Sequence, residues 1–113
     1  MLHAGAVVAG ASDWPVSTPD VFKAIYQAET RKGETGDVLD ASQVMPRESM
    51  LYAYTIHAAR TMRQEKAIGS IEPGKAADFV LLDRDVLTVP AEQMRDTKVL
   101  ATMVAGQWVF RAN

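Results

Sequence analysis

The sequence has no cysteine, only two histidines and no block of like charge. Without cysteine there is no disulfide framework, no thiolate metal site and no cysteine nucleophile. The two histidines, His3 and His57, are not spaced as a metal-ligand pair. The 12 basic and 14 acidic residues are interspersed and sum to a net charge of −2, so neither nucleic acid nor an anionic lipid surface is expected as a partner. The apolar run Ala4 to Ala11 is far too short to span a bilayer and has no basic flank, so it reads neither as a membrane span nor as a signal peptide. No membrane partner is expected, and the expected compartment is the cytoplasm.

What is present is 113 residues with 48% apolar content, enough for one modest core and one folding unit. Ala4 to Ala11, AGAVVAGA, reads as a strand buried on both faces, as in a parallel sheet covered by helices. It ends at Ser12 and Asp13. After Trp14-Pro15-Val16, Thr18 is placed to cap a helix with Pro19 at its first position and Asp20 in its first turn. Val21, Phe22, Ile25 and Tyr26 share a face of that helix. Residues 31–44, with Gly33 and Gly36 and no sustained period, read as an exposed loop. Pro46 opens a second helical region whose apolar side is Met50, Leu51 and Tyr54, and Tyr54-Thr55 marks a break before a further helix to Met62.

From Ile68 onward the period changes. Pro73-Gly74 suits the central pair of a type II turn, Phe79-Val80-Leu81-Leu82 is a strand core, and Ala91 to Met94 is a helical turn. Val99 to Val104 and Gln107 to Phe110 form a hairpin about Ala105-Gly106. The expected fold class is α+β, with residues 1–64 and 65–113 as its two portions.

Asp13 is the candidate for chemistry. It lies where a buried strand gives way to a loop, the end at which parallel α/β folds present reactive groups. A carboxylate there could ligate a divalent metal and accept a proton from an attacking water. On position alone it also reads as a turn or cap aspartate.

A resemblance bears on that choice. Gly10-Ala11-Ser12-Asp13-Trp14-Pro15-Val16 resembles the GSDxPV segment at the end of the eighth barrel strand in the amidohydrolase superfamily. Tyr54-Thr55-Ile56-His57-Ala58-Ala59 resembles the YTxNAA helix of its amidohydrolase-3, or YtcJ-like, branch, and Ile68 to Asp83 resembles the IGSLEPGKxADxVVLD segment. Lys98 to Phe110 is similar to the closing hairpin. The resemblance covers nearly the whole chain.

What it implies is a hydrolase of several hundred residues: a (β/α)8 barrel holding a divalent metal, zinc or similar, and a small composite β-sandwich built from both chain ends. Residues 1–64 would be the last strand and helices of that barrel. Residues 65–113 would be an antiparallel segment of the sandwich. Only Asp13 carries over, as metal ligand and general base in a complete barrel, because the other ligands of the family lie on earlier strands. Trp14 beside it either lines a substrate pocket or packs locally. A truncated chain of this kind is expected to hold no metal tightly and to be inactive alone, since a catalytic zinc normally has at least three protein ligands. The substrate of the complete enzyme would be a small-molecule amide or cyclic amide. The alternative is a stand-alone binding, regulatory or assembly module derived from that family.

Other features read as structural. His57 replaces an asparagine of the family motif and is expected to pack or hydrogen-bond, and His3 is expected to be solvated. Glu72-Pro73-Gly74-Lys75 lacks the glycine spacing of a phosphate loop and precedes a strand, not a helix. Ser17 and Thr18 suit helix capping rather than nucleophilic attack. Trp108 and Phe110 are expected in a core. A barrel strand without its neighbours leaves backbone N–H and C=O groups unpaired, so homo-oligomer formation through exposed strand edges is expected.

Overall fold

In the computed structural model, residues 5–113 are described. His3 and Ala4, the latter the first residue of the expected strand, lie outside that range. The elements in chain order are α1 (Val21–Thr30), a 3-10 turn (Ala41–Gln43), α2 (Arg47–Tyr54), α3 (Ile56–Thr61), β1 (Phe79–Leu82), α4 (Ala91–Met94), β2 (Val99–Val104) and β3 (Gln107–Arg111). They divide into two compact units that interleave along the chain. The first comprises Met1–Gly10, Tyr52–Asp83 and Lys98–Asn113, described from residue 5 onward, and the second comprises Ala11–Leu51 and Arg84–Thr97.

The first unit carries a three-stranded antiparallel sheet in the order β1-β2-β3. Its hairpin forms where the sequence places it: Ala105 and Gly106 both have positive φ, 50° and 81°, the type I′ geometry whose twist matches that of paired strands. Asp78 Oδ1 accepts the Ala105 N–H at 2.7 Å and Ala77 O accepts that of Gly106 at 3.0 Å, which ties the turn to the start of β1. Lys75 N–H donates to Glu72 O at 3.2 Å with Gly74 at φ 91°, so Pro73-Gly74 is the type II turn its residues require. Two expectations need correction here. Residues 5–11 are not a strand; they are held by single bonds, Gly10 N–H to Ala53 O at 3.0 Å and the His57 ring to Val8 O, because a strand needs a neighbour to form a ladder and the three strands of the sheet pair with one another and not with this segment. Trp108 and Phe110 are not core: they are 47% and 48% exposed, along with the rest of β3. Among the described residues no element is laid over the last strand of this single sheet layer, which leaves them open.

The buried residues of this unit are small: Ala53, Ala59 and Ala101. Close approach replaces bulk. Gly69, at φ 91°, sits where an added Cβ would fall 2.6 Å from Ala59 Cβ and 3.0 Å from Ile56 Cα, so only glycine lets the chain pass α3 there.

The second unit is helical. Its buried residues are Ile25 and Tyr26 on α1, Met50 on α2 and Met94 on α4, with α1 and α4 in contact. The first helix starts later than its sequence suggests. Asp20 is the N-cap, its carboxylate accepting the N–H groups of Phe22 and Lys23 at 3.0 and 3.1 Å, while the Thr18 hydroxyl accepts the Asp20 N–H. A carboxylate at the positive helix end outcompetes a hydroxyl for that place. The loop over residues 31–44 holds a bridge between Lys32 and Val38 and the 3-10 turn capped by Asp40.

Candidate functional site

Asp13 lies in the second unit, at the first position of a tight turn. Val16 N–H donates to Asp13 O at 2.8 Å, and the Ser17 hydroxyl donates to Ser12 O at 2.5 Å. The Trp14–Pro15 peptide is cis. Asp13 has φ 51°, the left-handed region, which aspartate enters more readily than most residues. Its side chain is exposed, and no hydrogen bond or ion pair with a described residue occupies the carboxylate. An ordinary turn aspartate would spend its oxygens on nearby backbone N–H groups, as Asp20 and Asp40 do in this same unit. The turn is instead closed by backbone and by Ser17.

Trp14 is 69% exposed and borders an open hollow together with Lys23, Gln27 and Glu34. Lys23 Nζ meets Glu34 Oε1 at 2.7 Å, and that hydrogen bond and charge hold the Glu34 carboxyl below its ordinary range. The hollow is therefore lined by the indole and by a paired lysine and glutamate. Ser17 spends its proton on a carbonyl and Thr18 accepts from backbone, so neither is poised as a nucleophile.

The remaining sequence candidates are structural. His57 Nδ1 lies 3.1 Å from Val8 O and its ring stacks on Tyr52 with centroids 5.9 Å apart, the packing and hydrogen-bonding role expected of it. Lys75 is held by Ser70 Oγ at 2.5 Å and by Glu72 at 3.5 Å, so the Pro73-Gly74 turn offers no free ammonium to a phosphate. That turn borders a second hollow, of about 690 Å³, between α3 and β1. Its acids are engaged within the unit: Glu72 accepts from Ser70 and Lys75, and Asp78 accepts from Ala105. The feature that sequence reasoning missed is the Arg47 clamp. Arg47 grips Glu29 with two nitrogens at 3.0 to 3.2 Å and donates to Val86 O and Val89 O at 3.2 and 2.6 Å. Nothing in the local pattern of Arg47 points to partners 39 and 42 residues away.

Among the described residues no three His, Asp or Glu side chains converge, and Asp13 offers one carboxylate. That donor set does not hold a divalent ion by itself, because stable sites need three or more protein ligands in a closed geometry.

Residues 1–110 match the amidohydrolase family. The chain belongs to the amidohydrolase-3 family. It is 34% identical over 106 residues to an N-substituted formamide deformylase of Arthrobacter pascens, covering 94% of this chain and 20% of that protein. It is 38% identical over 89 residues to a 5-methylthioadenosine/S-adenosylhomocysteine deaminase of Moorella thermoacetica, covering 74% of this chain and 19% of the deaminase. The crystal structure of an amidohydrolase from Thermotoga maritima superposes with a TM-score of 0.73 at 26% identity, covering 98% of this chain and 24% of that one. The chain thus spans about a fifth of the length of the relatives it matches. Its small α+β fold with a three-stranded antiparallel sheet is that of the matching part of an amidohydrolase. Among the described residues no helix is long and apolar enough to cross a membrane.

Proposed function

We propose that this amidohydrolase chain supplies one acidic member of the active centre of a larger metal-dependent hydrolase that cleaves a C–N bond in an amide or cyclic amide. The observation that carries this is the Asp13 turn: backbone and Ser17 close it, and the carboxylate is exposed and unspent. In a complete enzyme Asp13 would be one ligand of a divalent metal, and its carboxylate would be the group that accepts a proton from the attacking water. The other ligands come from outside this chain. Residues 1–64 are the end of the (β/α)8 barrel and residues 65–113 belong to the composite β-sandwich. Trp14, the next residue along the chain, forms one wall of the substrate pocket with its exposed indole. A relative named as a formamide deformylase and another named as a deaminase support a C–N substrate.

The test compares the 113-residue chain with the product of a reading frame that also encodes an upstream HxH pair. The isolated chain should bind no stoichiometric zinc and show no amidase turnover. The longer product should hydrolyse amides and lose that activity on Asp13→Asn while its circular dichroism and thermal midpoint stay unchanged. Turnover with stoichiometric metal from the isolated chain, or hydrolysis by the longer product that survives D13N, overturns the proposal.

A further inference from the structure

The two peptide planes that flank the Asp13 Cα are pinned by separate donors. A planar peptide leaves φ and ψ as the only soft backbone angles of a residue, so the planes before and after a Cα together fix where its Cβ points. The plane before Asp13 carries the Ser12 carbonyl, which accepts the Ser17 hydroxyl at 2.5 Å. The plane after it carries the Asp13 carbonyl, which accepts the Val16 N–H at 2.8 Å. The two bonds are nested, 12 to 17 outside 13 to 16, and between them Asp13 stands at φ 51°. A residue with a side chain enters that region at a cost, and aspartate commonly offsets it by bonding its carboxylate to nearby backbone. Here the hydroxyl of Ser17 does that work from four residues away.

Ser17 is held in turn from its other side. The Thr18 hydroxyl accepts the Asp20 N–H at 3.3 Å, and the Asp20 carboxylate caps α1 by accepting from Phe22 and Lys23. Pro19, whose ring fixes its own φ, lies between. The Ser12 carbonyl is therefore tied to the start of a ten-residue helix through a short, bonded stretch of chain. Every partner falls within residues 12–23, so the arrangement is complete inside this unit.

On the reading of Asp13 as the acidic member of a hydrolytic centre, on which this rests, we propose that Ser17 is its positioning residue. Bonded to the Ser12 carbonyl, Ser17 sets the direction of the carboxylate without touching the reacting groups. Proton transfer depends steeply on placement, whereas ground-state binding does not, so a loosened Asp13 lowers turnover rather than affinity. The bond from Val16 survives loss of the hydroxyl, so the effect is partial, about the size of one hydrogen bond.

The test follows turnover in the longer product with the upstream HxH pair and the turn itself in the 113-residue chain, with circular dichroism matching each variant to wild type. Ser17→Ala should lower kcat about five- to tenfold and move KM less than about twofold. Ser17→Thr keeps a hydroxyl in place and should recover kcat to within about twofold of wild type. Thr97→Ala removes a bond of the same kind in the same unit, from the Thr97 hydroxyl to Met94 O at 2.7 Å, and should leave kcat unchanged. In the 113-residue chain, solvent exchange of the Val16 N–H, read by NMR, should quicken in S17A and not in S17T. Wild-type kcat or wild-type Val16 exchange in S17A, a change confined to KM, no recovery in S17T, or an equal loss in T97A would each overturn the role of Ser17. Activity lost in D13N but untouched in S17A sinks that role alone, whereas activity that survives D13N removes the reading of Asp13 and the role of Ser17 with it.

Discussion

The two units of this chain are held by different means. In the unit that carries the sheet, the buried residues are alanines, and a glycine at positive φ lets Gly69 pass within contact of Ala59 and Ile56. In the helical unit, the buried residues are an isoleucine, a tyrosine and two methionines, framed by charged clamps: Arg47 on Glu29, and Glu92 accepting from Tyr26 at 3.0 Å and from Lys32. Arg95 lies over the Tyr26 ring at 5.2 Å. The first unit is organised by how closely backbones approach, the second by side-chain volume and charge. Added volume should hurt one, and lost volume or lost charge the other. The chain carries a probe for each, Trp108 in the first unit and Trp14 in the second.

The largest effects should come from crossing these rules. Gly69→Ala places a methyl where Ala59 and Ile56 already stand, at a backbone angle that alanine disfavours, and should cost about 2–5 kcal/mol by the sum of overpacking and left-handed strain. Met94→Ala empties a fully buried site and should cost a similar amount, about 2–5 kcal/mol. Urea unfolding followed by single-tryptophan fluorescence separates the two: Gly69→Ala should shift the Trp108 transition and Met94→Ala the Trp14 transition. If both substitutions moved both transitions equally, the contrast between the units would be broken.

A smaller effect is expected at Arg47, whose side chain is 11% exposed. Arg47→Ala leaves the Glu29 carboxylate and two backbone carbonyls short of a donor and should cost about 2 kcal/mol. The Trp14 transition should report it, and Arg47→Lys should recover only part, since an ammonium cannot reproduce the two-pronged grip. Full recovery by lysine would reduce the clamp to a simple charge.

The smallest effect concerns acid. Hydrogen bonds from Lys32 and Tyr26, and the Lys32 charge, hold the Glu92 carboxyl below its ordinary value near 4.5. A carboxyl depressed in the folded state contributes stability that is present above its unfolded value and is lost as pH falls through the folded one. The helical unit should therefore weaken below about pH 4.5, and Glu92→Gln should flatten that part of the profile at the Trp14 transition. An unchanged slope in Glu92→Gln would assign the acid sensitivity to another carboxylate.

The elements legible in the sequence are those whose signals are local. Ala105-Gly106 between two β-rich runs and Pro73-Gly74 after Glu72 each specify a turn through φ values that those residues accept, and β1 and the hairpin follow. The break between α2 and α3 at Tyr54-Thr55 was also legible. Segment 5–11 was misleading, because its apolar, β-branched character says only that it suits a sheet, not that neighbours are present to pair with it. The helix start moved from Thr18 to Asp20 because both residues can cap and only the carboxylate reaches two N–H groups.

For the candidate site, the sequence by itself determined that Asp13 ends an apolar run and that Trp14-Pro15 forces a turn after it. Only the tertiary structure decided that the turn closes without the Asp13 carboxylate, that the indole of Trp14 is exposed, and that Arg47 and Glu92 find partners far along the chain. The physical reason is range: turn geometry is set by the dihedral preferences of a few adjacent residues, whereas a free carboxylate or a multi-partner clamp depends on which distant groups the fold brings near.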